Sequence, residues 1–110
     1  MLLRMCCLFF EKKRNAKYAI WGITQKADMI CNYMEEHYPD AKLVAVQDKS
    51  KKIMFHNIES KNDMMQLVKG VDFIFVTAAT ANDSALNFFN TNNISDYHIS
   101  TDGIAKWENT

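Results

Sequence analysis

Hydrophobic and polar positions along this chain switch between a strand-like and a helix-like period, beginning at residue 16. Residues 16–23 form a short apolar run that breaks at Gly22, the pattern of a buried first strand. Beyond it Ala27, Ile30, Cys31, Met34 and His37 or Tyr38 recur at helical spacing. Thr24 stands where an N-cap belongs and Tyr38-Pro39-Asp40 where the helix should stop, which predicts an amphipathic helix of about three to four turns. Residues 42–47 are again apolar with β-branched members and end in the polar stretch 48–52, a second parallel strand and its loop.

Residues 52–56 read as a short edge strand whose lysine suits an exposed edge. Ser60 and Asp63 make a capping pair ahead of Met64, Leu67 and Val68, with Gly70 as the stop, so a second helix of roughly two to three turns is expected. Residues 71–77 are apolar on both faces apart from Asp72, the mark of a central strand. Thr80 and Asp83 repeat the capping pair before Ala81, Ala85, Phe88 and Phe89, a third helix, and residues 94–100 give a last short strand. The order βαβ(β)αβαβ places the chain in the α/β class. It predicts a single Rossmann-like three-layer domain, a mostly parallel sheet of four to five strands with helices on both faces. That domain spans residues 17–100, between an apolar and basic leader over 1–16 and a tail over 101–110 whose one large anchor is Trp107.

Composition narrows the function classes. At 110 residues the chain is one domain, too small for a cofactor domain plus a separate substrate domain. A complete enzyme would need another chain or an active site at a subunit interface. The 13 basic and 13 acidic residues cancel, which removes the electrostatic footprint of a nucleic-acid binder. Cys6, Cys7 and Cys31 are odd in number and lack C-x-x-C spacing, which fits a reducing, cytoplasmic setting. Residues 1–10 are apolar apart from Arg4, yet too short to span a bilayer, and Glu11-Lys12-Lys13-Arg14 follows instead of a small-residue cleavage site. The segment reads as a packing or dimer element or as a leader crossing the core, with a weak signal peptide or interfacial anchor as the alternative. His37, His56 and His98 have no metal-ligand spacing, the methionines sit at core spacings, and no G-x-S-x-G elbow occurs.

The candidate chemistry lies in three loops that an open α/β sheet gathers at the carboxyl ends of its strands. Against the dinucleotide fingerprint G-x-G-x-x-G, the first turn offers Gly22, Thr24 and Ala27. The tight turn and the helix packing are kept, while a side chain stands where a pyrophosphate would lie. Thr24, Gln25 and Lys26 begin the helix and either bind an anion through its free N–H groups or form a plain N-cap with a solvated lysine. Asp48 ends the second strand, slightly beyond the usual spacing of about 20 residues for a ribose-binding acid, and is either that acid or part of a polar loop. Thr77, Ala78 and Ala79 follow the central strand with small side chains that permit close approach of a ligand, or that serve an ordinary strand-to-helix turn.

The succession of strand, Gly22 turn, helix, strand and Asp48, then Phe73-Ile74-Phe75-Val76-Thr77 with its small-residue loop, resembles a known group. It is similar to the Rossmann-like N-terminal domains of bacterial surface-polysaccharide enzymes. These include nucleotide-sugar acyltransferases of the sialic-acid and bacillosamine type and membrane-bound nucleotide-sugar dehydratases. It is also similar to the broader CoA-binding Rossmann family. The resemblance implies that the Gly22 turn faces a diphosphate, Asp48 a sugar or nucleotide hydroxyl, and Thr77 to Ala79 the far side of the ligand. The turn departs from the family pattern, which repeats glycine where this chain has Thr24. The downstream module that carries the chemistry in those proteins is missing from these residues, so the resemblance implies a fragment or a free-standing domain that binds or regulates. The expectation is a non-catalytic domain for a nucleotide, nucleotide-sugar or NAD(P), forming a homodimer or serving a partner domain in polysaccharide or glycoconjugate synthesis. Its rivals are an NAD(P)-dependent or sugar-modifying enzyme completed by another chain, and an interaction module without a ligand. A phosphorylatable receiver domain is excluded because Thr77 occupies the place of its aspartate.

Overall fold

Each central strand of this protein is apolar on both sides, so helices must cover a sheet whose successive side chains point opposite ways. The computed structural model describes residues 9–49, 52–78 and 81–99. A helical turn over residues 9–12 (α1) precedes β1 (Lys17–Trp21), α2 (Gln25–His37) and β2 (Lys42–Gln47). A hairpin of β3 (Met54–Phe55) and β4 (Ile58–Glu59) leads to a 3₁₀ turn, Met64–Leu67. The chain then forms β5 (Phe73–Val76), α3 (Asn82–Thr91) and β6 (Tyr97–Ile99).

The sheet is parallel throughout, in the order β2-β1-β5-β6. From β1 the chain moves one way, through α2 to β2. From β5 it moves the other way, through α3 to β6. The carboxyl ends of β1 and β5 therefore flank a topological switch point, where an open sheet leaves a crevice.

Tyr18, Ile20, Phe73 and Phe75 bury on one side with Ala27, Ile30, Cys31 and Met34 of α2 and Phe10 of α1. Ala19, Trp21, Ile74 and Val76 bury on the other with Leu67 of the 3₁₀ turn and Ala85 and Phe89 of α3. Phe10 is fully buried, its ring 6.1 Å from that of Phe75 and nearly parallel to it. Part of the expected leader is thus core. Burial of a side chain of this size contributes about 1.5–3 kcal/mol.

Several local expectations change. Residues 52–56 do not add an edge strand to the main sheet: β3 pairs antiparallel with β4 in a sheet of two strands. His56 and Asn57 take φ of 46° and 69°, the left-handed pair of a tight hairpin turn. Ser60 does not cap a helix. It is buried, and its hydroxyl accepts from the Ile53 N–H at 2.9 Å. The cap passes to Asp63, which accepts from Met65 N at 3.0 Å, and only one 3₁₀ turn follows. The third helix starts at Asn82 after Ala81, which makes no side-chain cap bond, while Thr80 lies outside the described residues. Among the described residues no helix is long and apolar enough to cross a membrane.

Candidate functional site

The end of β1 turns sharply into α2, and its backbone groups decide what can approach. Gly22 has φ 109°, a conformation strained for any side chain, and its N–H donates to the Gln47 carbonyl at 2.8 Å. A Cβ built there would lie 2.6 Å from the Ala78 Cβ and 2.9 Å from the Ala78 nitrogen. The space that glycine leaves is therefore taken by the loop after β5.

Thr77 fixes this junction. Its N–H donates to the Trp21 carbonyl at 2.9 Å, and its hydroxyl lies 2.6 Å from the Gly22 carbonyl, to which it donates. Thr24 is the N-cap of α2, with extended backbone and a hydroxyl that accepts from Ala27 N at 3.2 Å. The cap takes the Ala27 N–H out of any anion site at this helix start. Gln25 is exposed, whereas Lys26 is buried at 8% exposure, so the solvated lysine expected in that position is absent.

Asp48 is also turned inward. Only 9% exposed, it accepts the Ile23 N–H through Oδ2 at 2.7 Å. That N–H is one an anion at this turn would need, so the strand-end acid occupies part of the expected phosphate cradle with a negative charge.

Beside these residues a cavity of about 180 Å³ opens at the carboxyl ends of β1 and β2 and the start of α3. Of the expected residues its wall includes Gly22, Asp48 and Ala78, while Thr24, Gln25, Lys26 and Thr77 stay outside it. Ala79 lies outside the described residues. Trp21, Gln47, Lys49, Asn62, Met64, Ala81 and Ser84 line it as well.

Gln47 and Trp21 were not foreseen as site residues. Gln47 is 1% exposed, donates to Asn62 Oδ1 at 3.0 Å and accepts from Asp63 N at 2.6 Å, which ties the 62–63 segment to the end of β2. A polar amide closing an apolar strand is the signal that marks it. Trp21 is 4% exposed, its ring edge-on to Phe88 and Phe89 at 5.8 and 6.0 Å. Its indole N–H has no acceptor among the described residues, although a buried tryptophan ordinarily finds one.

The described residues contain no group of three His, Cys, Asp or Glu side chains able to hold a metal ion. His56 is engaged elsewhere, its Nε2 2.7 Å from Asp28 Oδ1 and its Nδ1 3.4 Å from Glu35 Oε1, so it fastens the hairpin to α2. Cys31 is buried against the Tyr18 hydroxyl, and burial pushes its thiol up to about 12, which makes it an inert core residue.

A diphosphate laid across the β1 turn does not fit this arrangement: Ala78 fills the approach to Gly22, and Asp48 and Thr24 hold the Ile23 and Ala27 N–H groups. A single ring fits the cavity far better than a dinucleotide, since pockets for larger ligands run to about 300–1,000 Å³. No family model matches this chain, and no curated protein and no solved structure is significantly similar to it.

Proposed function

We propose that this chain is a non-catalytic, Rossmann-like binding domain that takes part of a nucleotide or nucleotide-sugar in the cavity beside Trp21, Gly22 and Asp48. The observation that carries the reading is the cavity's position, at the carboxyl ends of β1 and β2 and against the loop after β5, where the sheet order reverses. Its wall combines an aromatic ring, a carboxylate and amide groups, a mixture suited to a polar ring with hydroxyl or carbonyl substituents. A role in polysaccharide or glycoconjugate synthesis, a cytoplasmic setting and a homodimer or partner domain belong to the same proposal. The synthetic role rests on the resemblance of the strand, turn and acid pattern, and the cytoplasmic setting on the odd number and spacing of the cysteines.

A second reading has its own support. Gly22, Thr24, Asp48 and Thr77 all spend hydrogen-bonding groups or space on neighbours in the same turn and loops, Gly22 on Ala78, Thr24 on Ala27, Asp48 on Ile23 and Thr77 on Gly22, as they would in an interaction module that keeps the fold and has no ligand. Thermal unfolding in the presence of UDP-sugars, NAD(H) and CoA separates the two. A ligand at 100 times its dissociation constant stabilises the fold by about 2.7 kcal/mol, a rise of roughly 10 °C or more for a domain of this size. A melting temperature unmoved by every compound leaves the interaction module standing.

A further inference from the structure

We infer that the cavity receives one uncharged, hydroxylated ring, the glycosyl end of the ligand, and that Asp48 bars a diphosphate from the β1 turn. The inference rests on the binding function proposed above and specifies which end of the ligand enters.

Two independent observations lead to it. The first is the blocked turn. Ile23 N–H already donates to Asp48 Oδ2 at 2.7 Å, and the carboxylate is only 9% exposed, turned into the turn itself. A phosphate brought to this place meets a like charge and finds the amide taken. The Gly22 surface, where a pyrophosphate would make its closest approach, is covered by Ala78.

The second is the unpartnered donor. Trp21 is only 4% exposed, it lines the cavity, and its indole N–H has no acceptor among the described residues. Such a group calls for an oxygen acceptor from outside the described residues, and the cavity it lines is open to one. A cavity of about 180 Å³ has the volume of roughly six liquid waters, which is room for one sugar ring and its hydroxyls. Lys49, exposed in the wall, stands where the rest of a longer ligand would leave for solvent. The ring is thus held inside and any phosphate remains at the rim.

The test uses the full chain carrying Trp107→Phe, so that emission reports Trp21, with four kinds of probe: hexoses, N-acetylhexosamines, the matching UDP-sugars and UDP itself. A free sugar and its UDP-sugar should bind within about threefold of each other and both shift Trp21 emission, whereas UDP should bind at least about tenfold more weakly. Asp48→Asn keeps an oxygen to accept the Ile23 N–H while removing the charge, and should raise UDP affinity about tenfold. UDP binding as tightly as the UDP-sugars overturns this inference and leaves the nucleotide-binding function intact. Sugar binding that leaves Trp21 emission unchanged overturns the assignment of the cavity. Binding of none of the four overturns the inference and the proposed function together.

Discussion

Gly22 and Ala78 share one space: a side-chain carbon on the first would sit 2.6 Å from the Cβ of the second. The glycine that resembles the start of a dinucleotide fingerprint is required here by a neighbouring strand's loop. Gly22→Ala should destabilise the fold by at least about 2 kcal/mol, combining a left-handed φ with overpacking. Adding Ala78→Gly should recover only part of this, because the Ala78 nitrogen at 2.9 Å and the φ of 109° remain. Urea midpoints of the single and double variants measure both effects, and full recovery in the double variant would show that backbone strain is unimportant.

Asp48 should be more sensitive to shape than to charge in its effect on stability. Asp48→Ala leaves the Ile23 N–H without its carboxylate partner in a buried turn, a loss of about 1–3 kcal/mol. Asp48→Asn retains an acceptor and should lose less. Equal denaturation midpoints for the two variants would mean that the bond to Ile23 contributes nothing.

How much of this was legible in the sequence depends on how local each signal is. The Thr24 cap, the Tyr38 stop and the apolar strands follow from neighbouring residues, and they lie within one or two positions of where the pattern puts them. Asp48 at the strand end was equally legible, but its partner Ile23 is 25 residues away and nothing local announces it. Ser60 and Asp63 gave the right motif and the wrong element, because Ser60 is consumed by Ile53 of the hairpin. The run over 42–47 conceals a register shift opposite Tyr18 and Ala19: Leu43 pairs with Tyr18 and Ala45 with Ala19, so Val44 has no opposite number. That bulge sets Leu43 and Val46 against the same cluster, a spacing of three that strict alternation does not allow.

Phe10 should prove indispensable although it precedes the first strand. Its ring meets Tyr18, Tyr38, Phe73 and Phe75 at centroid distances of 6.1, 5.8, 5.4 and 6.1 Å. Phe10→Ala should lower stability by about 3–5 kcal/mol, read by chemical denaturation. A loss below about 1 kcal/mol would place residue 10 outside the cooperative core.

Asp72 ties the start of β1 to the start of β5, accepting from Lys17 N at 2.9 Å and from Lys13 Nζ at 3.0 Å. The Lys17 N–H, and after it the Lys13 ammonium, hold its carboxyl below the usual range. A carboxyl depressed in the folded state contributes stability above its unfolded value of about 3.9, and that stability is lost as pH falls through the folded value. Asp72→Asn should therefore unfold more readily near neutrality and lose less on acidification below about pH 4. Parallel acid limbs for the parent and the variant would remove Asp72 from this role.

Cys31 should resist alkylation in the native state at pH 8, since burial leaves almost none of it as thiolate. In a Cys6→Ser, Cys7→Ser background the thiol should react only after unfolding. The same elevation favours the folded state below the unfolded thiol value of about 8.5 and is lost as pH rises toward 12. Rapid native labelling would contradict the buried placement.

The strip that follows the hairpin also limits how the sheet can grow. Lys61 N donates to the Val46 carbonyl at 3.0 Å and the Asp48 N–H to the Lys61 carbonyl at 3.1 Å, so the outward-facing groups at the carboxyl end of β2 are already satisfied. A partner that joins by adding a strand to β2 cannot template itself along its whole length, because the half beside the cavity has no hydrogen bonds left to offer. It would have to begin at residues 42–44, where the Val44 bulge breaks the straight run an incoming strand needs. The chain thereby keeps its cavity end from becoming an assembly edge.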